Sequence, residues 1–146
     1  MKLHWHIKTF NQLTLNEFWK IVYLRDKVFI VEQDSPYQEI DKQDRHSYHV
    51  FAMNDQQHLI AYARFFKNGD NVSFGRVVIP KEHRGEGIGA ELIKRVLNGI
   101  KKVYGPTKIV IEAQYYAIGF YKKLGFYTVG KPFRDAGRKH IKMIKD

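Results

Sequence analysis

The run Arg76-Val77-Val78-Ile79-Pro80-Lys81-Glu82-His83-Arg84-Gly85-Glu86-Gly87-Ile88-Gly89 reads as a strand, a tight turn and the first residues of a helix. Val77, Val78 and Ile79 are β-branched and suit a strand, and Pro80, which has no N–H for a ladder, ends it. Glycines at 85, 87 and 89 let the backbone turn sharply and approach a ligand with no Cβ in between. The N–H groups freed at the helix N-terminus, with the positive end of the helix dipole, form an anion site. Arg84 adds a cation at its mouth. Residues Arg84, Gly85, Glu86, Gly87, Ile88 and Gly89 are therefore expected to cradle a phosphate-bearing ligand. A nucleotide P-loop would need Lys-Ser/Thr after the glycines, where Ala90-Glu91 stand. A dinucleotide fingerprint needs Gly-x-Gly-x-x-Gly after a first strand, and the spacing here is Gly-x-Gly-x-Gly some eighty residues in. A glycine-rich turn without a ligand is the competing reading of this stretch taken alone.

Downstream, Ile88, Leu92, Ile93, Val96 and Ile100 recur at helical spacing and predict a helix to about Val103, stopped by Gly105-Pro106. Lys108–Ala113 reads as a short strand, Ala117–Leu124 as a short helix, Gly125-Phe126 as the start of another strand and Lys139–Ile144 as the last one. Upstream, Tyr48–Met53, Leu59–Lys67 and Val72–Ile79 are strands joined by hairpin-like turns. Residues 3–10 read as the first strand. Thr14-Leu15-Asn16-Glu17 has capping-box spacing, predicting a helix to about Val31 with Leu15, Phe18, Trp19, Val22 and Phe29 toward the core. The polar stretch Glu32–Ser47 is long enough to be a functional loop. This order implies an α/β (α+β) fold, a mixed sheet with helices packed on its faces. Without repeat or linker, residues 1–146 are expected to form a single domain.

The chain of 146 residues is 44% apolar and 27% charged, a globular composition. No apolar run reaches the length of a membrane span, and the N-terminus lacks the apolar core of an export signal. A cytoplasmic protein is therefore expected. The absence of cysteine removes disulfides, thiolate-metal sites and a cysteine nucleophile together. His4 and His6 have no carboxylate or cysteine partner nearby in sequence, so no metal site is expected. Three serines without a nucleophile elbow disfavour a serine acyl-enzyme. The net charge of +10 is unevenly placed: residues 1–75 hold nine Lys/Arg and nine Asp/Glu, and residues 76–146 hold sixteen against six. Glu32, Asp34, Glu39, Asp41 and Asp44 crowd one stretch of the balanced half. A basic half beside an acidic patch suits an anionic cofactor and a cationic substrate arriving from opposite sides. Neither a recognition helix nor an aromatic RNA platform accompanies the charge, so no nucleic-acid partner is expected.

Arg84-x-x-Gly87-x-Gly89 resembles the acyl-CoA pyrophosphate loop of the GNAT acetyltransferase superfamily. Thirty residues on, Gln114-x-x-Ala117-Ile118-x-Phe120-Tyr121-Lys122-Lys123-Leu124-Gly125-Phe126 resembles that superfamily's second block. Leu24–Gln33, Tyr37–Asp41, Ala61–Arg64 and His140-Ile141-x-Met143 stand in the order of its ElaA-like branch, so the likeness runs from about Trp5 to Met143.

That resemblance implies a GNAT fold: a twisted, mostly antiparallel sheet of about six to seven strands with helices on both faces, split between the fourth and fifth strands. It implies an acetyl-CoA-dependent N-acetyltransferase, working without a metal by direct transfer to a primary amine in a ternary complex. The pantetheine arm is expected to pair with main-chain groups of Val77, Val78 and Ile79, the Val78 N–H polarising the thioester carbonyl, and with Gln114. Tyr121 stands where the family places the proton donor to the departing thiolate; read from the residues alone it is more readily a packed aromatic. His140 is the leading candidate for the base that takes the amine's proton, since an unperturbed imidazole titrates at about pH 6.5. Arg138-Lys139 precede it where Ile-Pro is usual in the branch. Glu32, Glu39 and Asp41 are the other candidates and are expected to bind the substrate. The acceptor is a small amine or a peptide or protein amine. Dimers are common among such relatives, so a homodimer is carried as an expectation. The alternative is a module that holds acyl-CoA as a sensor without chemistry.

Overall fold

Seven strands form one sheet in the computed structural model, which describes residues 1–146. They are β1 (His4–Thr9), β2 (Tyr48–Met53), β3 (Leu59–Asn68), β4 (Asn71–Val78), β5 (Ile109–Gln114), β6 (Tyr127–Asp135) and β7 (Arg138–Lys145). Their order across the sheet is β1-β2-β3-β4-β5-β7-β6, and every neighbouring pair is antiparallel except β4 with β5. That parallel pair meets at Val72 and Ile109 alone and then parts. The sheet is thus split between its fourth and fifth strands, leaving the far end of β4 without a strand partner on that edge.

Helices α1 (Leu15–Arg25) and α2 (Ile88–Tyr104) cover opposite faces of the sheet. Under α2, Val50, Ala61, Ala63, Phe65, Val72 and Phe74 meet Leu92, Ile93, Val96 and Ile100 in the larger core, which continues to the short helix α3 (Ile118–Lys123) through Tyr121. The five apolar positions predicted for α2 are all buried. Under α1, a smaller core joins Ile21, Leu24 and Val28 to Phe51, Met53, Tyr62 and Val78. Alternation along a strand would place Phe74 and Val78 on the same face; they lie on opposite ones. The cause is a bulge: Arg64 pairs with Gly75 but Tyr62 with Val78, and the extra residue, Arg76, sits at φ +53°. This bulge turns the unpartnered end of β4 over and aims Arg76 at the α1 side.

The capping box at Thr14 forms as predicted: the Glu17 N–H donates to Thr14 Oγ1 at 3.0 Å and the Thr14 N–H to Glu17 Oε1 at 2.9 Å. The predicted face of α1 forms only in part, with Phe29 packed against the smaller core. Leu15 and Trp19 are exposed, and Ile21, Leu24, Arg25 and Val28 take the core side. Bulky apolar residues pointed to the wrong stripe because a charged residue, Arg25, occupies the right one. The predicted single helix also changes winding, to a π-helical segment over Asp26–Glu32. Its wider turns keep Val28 in the core while bringing Phe29, Ile30 and Gln33 together on the cleft described below.

Candidate active site

A cleft of about 1060 Å³ runs through the split in the sheet. Ile93, Phe74 and Tyr121 line it from the α2 side, and Glu39, Arg76 and His140 from the α1 side. Six of the site residues expected from the sequence meet here, since Val77, Gly89 and Gln114 also line it. Val78, Ile79, Glu32, Asp41 and residues 84–88 stand outside its wall.

The glycine loop has the conformation an anion cradle needs. Gly85 and Gly87 adopt left-handed angles of +83° and +80°, where a side chain would be strained, and Gly87 caps α2. Arg84, however, is engaged. Its Nη1 donates to Glu32 Oε2 at 2.8 Å, its Nη2 to Glu32 Oε1 at 3.3 Å and its Nε to the Ile79 carbonyl at 3.0 Å. The hydrogen bonds from Arg84 hold the Glu32 carboxyl below the usual range. A phosphate arriving at this loop would compete with this carboxylate for Arg84. Both partners are partly exposed, and such pairs contribute only up to about 1 kcal/mol. Glu32→Gln is therefore expected to tighten coenzyme A binding by no more than about fivefold; calorimetric titration reads the change, and weaker binding would show that Glu32 supports the loop instead.

Tyr121 is buried among Phe74, Phe120 and Phe126, with ring centroids at 6.0, 5.2 and 5.6 Å. Burial, with a contribution from Tyr116, raises its phenol above the ordinary value, so the hydroxyl keeps its proton at neutral pH. Across the split, Gln114 and His140 are register partners on β5 and β7. His140 Nδ1 lies 2.8 Å from the Arg138 carbonyl, an acceptor, so Nδ1 carries the proton and Nε2 is left with its lone pair. Phe133 stacks on the ring at 5.9 Å. Tyr121 and His140 thus approach the split from opposite faces of the sheet.

The acidic stretch differs from the open anionic patch that the sequence suggested. Asp44 accepts from Arg25 Nη1 and Nη2 at 2.7 and 3.1 Å and from Arg64 Nη1 at 2.9 Å. Asp41 takes both Nη groups of Arg64, and Glu39 Oε2 accepts from Arg25 Nε at 2.7 Å and from Arg76 Nε at 2.8 Å. Three guanidiniums face three carboxylates. The hydrogen bonds from Arg64 lower the Asp41 carboxyl; at Asp44, burial alone would raise it, but Arg25 and Arg64 outweigh burial and the net shift is downward. Beneath them the Tyr62 hydroxyl donates to His49 Nδ1 at 2.6 Å, and His49 Nε2 donates to the Asp44 carbonyl. Sequence reading missed Arg25, Arg64 and Arg76. The signal available was the balance of nine against nine charges in residues 1–75.

Comparison with known proteins gives concordant results. The family described as "Acetyltransferase (GNAT) domain" matches residues 13–146. UPF0039 protein sll0451 of Synechocystis sp. is 35% identical over 147 residues, covering 99% of this chain and 96% of the relative. Protein ElaA of Escherichia coli is 30% identical over 149 residues, covering 99% and 97%. Among solved structures, an acyl-CoA N-acyltransferase from Pseudomonas aeruginosa superposes with a TM-score of 0.95 at 33% identity, covering 99% of this chain and all 100% of that one. Escherichia coli ElaA gives 0.93 at 29% identity, with the same coverage.

Proposed function

We propose that this chain, which belongs to the GNAT acetyltransferase family, transfers acetyl from acetyl-CoA to a primary amine, in the cytoplasm and without a metal. The observation that carries the reading is the cleft through the split sheet, with Tyr121 on one face and His140 on the other. The residues fit the donor. The left-handed glycines and the N-terminus of α2 suit a pyrophosphate. The unpartnered end of β4 offers main-chain groups of Val77 to the pantetheine amides, with the Gln114 amide across the gap. Val78 and Ile79, expected to share this role, follow just beyond the wall, and the Ile79 carbonyl already accepts from Arg84 Nε. Acetyl-CoA supplies the acetyl group as a thioester, whose carbonyl carbon an unprotonated amine attacks.

The chain's own groups handle the protons. His140 Nε2 accepts the proton that the amine nitrogen sheds as the C–N bond forms. A main-chain N–H at this end of β4, assigned to Val78, would donate toward the carbonyl oxygen, where charge develops. Tyr121 gives its proton to the sulfur as the C–S bond breaks, leaving an amide and a free thiol, and solvent restores both side chains. The three carboxylates are already engaged: hydrogen bonds from Arg84 and Arg64 lower Glu32 and Asp41, and two guanidiniums share Glu39 Oε2. Free-thiol release across a panel of amines and peptides, with mass detection of the product, tests the reading. Acyl-CoA binding with no thiol release from any amine would make the chain a sensor instead.

His140→Ala is expected to lower turnover at neutral pH by about a hundredfold and to remove the limb of the pH–rate profile that the imidazole governs. A profile matching wild type would reassign the base.

A further inference from the structure

Resting on the transferase reading, the deeper question is which amine the α1 face of the cleft accepts. Its charges decide this. Glu39, Asp41 and Asp44 are matched by Arg25, Arg64 and Arg76, and Glu32 by Arg84, so of the acidic stretch only Asp34, exposed and outside the cleft lining, is left without an ion pair. Glu112 and Lys142, which also line the cleft, are register partners on β5 and β7, both exposed and not within ion-pair distance of each other.

Arg138 is different. It lines the cleft, belongs to the same face of β7 as His140 two residues on, and forms none of the chain's ion pairs. Its Nε–H is enclosed without an acceptor. Asp135, its register partner across the hairpin, is exposed and not within ion-pair distance. Arg64, on the same side of the cleft, likewise has a buried Nε–H without an acceptor. The wall is held in place: the hairpin turns at Ala136 and Gly137, both at positive φ, and the Ser35 hydroxyl donates to the Ala136 carbonyl at 3.3 Å.

We infer that Arg138 is the acceptor's anchor and that the acceptor is a small amine bearing a carboxylate, the amino-acid class, its anion on Arg138 and its amine at His140. Alternate residues on one face of a strand lie about 7 Å apart at Cα, a separation that the long arginine side chain spans within one small molecule. A guanidinium pairs with a carboxylate through two parallel N–H bonds, and Arg138 is the one arginine of the cleft lining without such a partner, Arg64 and Arg76 having theirs. A protein N-terminus or a lysine side chain carries an amide at that place and leaves Arg138 without its partner.

The test compares three acceptors for each of several side chains: a free amino acid, its amide, and the amine lacking the carboxyl group. Wild type is expected to favour the free acid by tenfold or more in kcat/KM, and Arg138→Gln to erase that ratio, with partial recovery in Arg138→Lys. Equal rates for acid and amide with wild type would overturn the inference and leave the transferase reading standing. So would an Arg138→Gln variant that keeps the preference, or one whose defect is a raised KM for acetyl-CoA, which would place Arg138 in the donor site. No product from any amine would remove the transferase reading and this inference with it.

Discussion

Replacing Asp44 with alanine is expected to lower the free energy of unfolding by about 3–5 kcal/mol, because it leaves two buried guanidiniums without their shared carboxylate. Asp44 is 2% exposed and Arg25 is fully buried. The same carboxylate accepts the Asp41 N–H at 3.3 Å, so the loop that carries Glu39 and Asp41 loosens with it. Urea unfolding of wild type and variant measures the loss as a fall in midpoint at unchanged slope. A loss below about 1 kcal/mol would mean that water reaches the arginines and that the network is not closed. The same network sets the acid limit of the fold. The Asp44 carboxyl is lowered in the folded state, so its contribution is complete above the unfolded carboxylate value of about 3.9. That contribution is lost as pH falls through the lower folded value. Asp44→Asn should flatten that part of the stability–pH curve, and an unchanged slope between neutral pH and acid would assign the transition to other carboxylates.

Tyr121→Phe is expected to cut turnover by about a hundredfold to a thousandfold, some 3–4 kcal/mol of barrier, with little change in coenzyme A affinity. The variant removes one hydroxyl from a ring that stays packed on Phe74, Phe120 and Phe126. Burial, not a hydrogen bond, accounts for the raised phenol. The fold therefore has no stake in that oxygen, and a merely structural tyrosine would lose neither stability nor rate. Single-turnover thiol release with saturating acceptor separates the chemical step from product release. An unchanged rate would return Tyr121 to the core.

Helix α2 and the glycine loop were legible because their signals are local: five apolar residues at one spacing, and glycines where the chain must take positive φ. Tyr121, Gln114 and His140 were found through short blocks of neighbouring residues, and the register of β5 with β7 brings the last two together. The arginine network was not legible, since Arg25 and Arg76 reach Glu39 across 14 and 37 residues. A buried arginine also looks like a surface one in a helical pattern, which is why the core face of α1 was misread. The bulge at Arg76 escaped for a related reason: alternation through Val72–Ile79 reads as an unbroken strand, and only the opposite burial of Phe74 and Val78 reveals the extra residue. The acidic stretch lost its reading as a cation site once these arginines were placed, and Arg138 gained significance as the one arginine of the cleft lining without a carboxylate partner.

The central claim is direct transfer through the split sheet, and the most direct measurement follows the acetyl group itself. Acetyl-CoA labelled in the acetyl carbonyl is mixed with the enzyme and a reactive amine, quenched over the first turnover, and the small molecules and the protein are weighed by mass spectrometry. The account predicts label on the amine nitrogen, one free thiol per amide formed, and none on the protein at any time. Label held covalently by the chain before the amide appears, or released only as acetate, would contradict it.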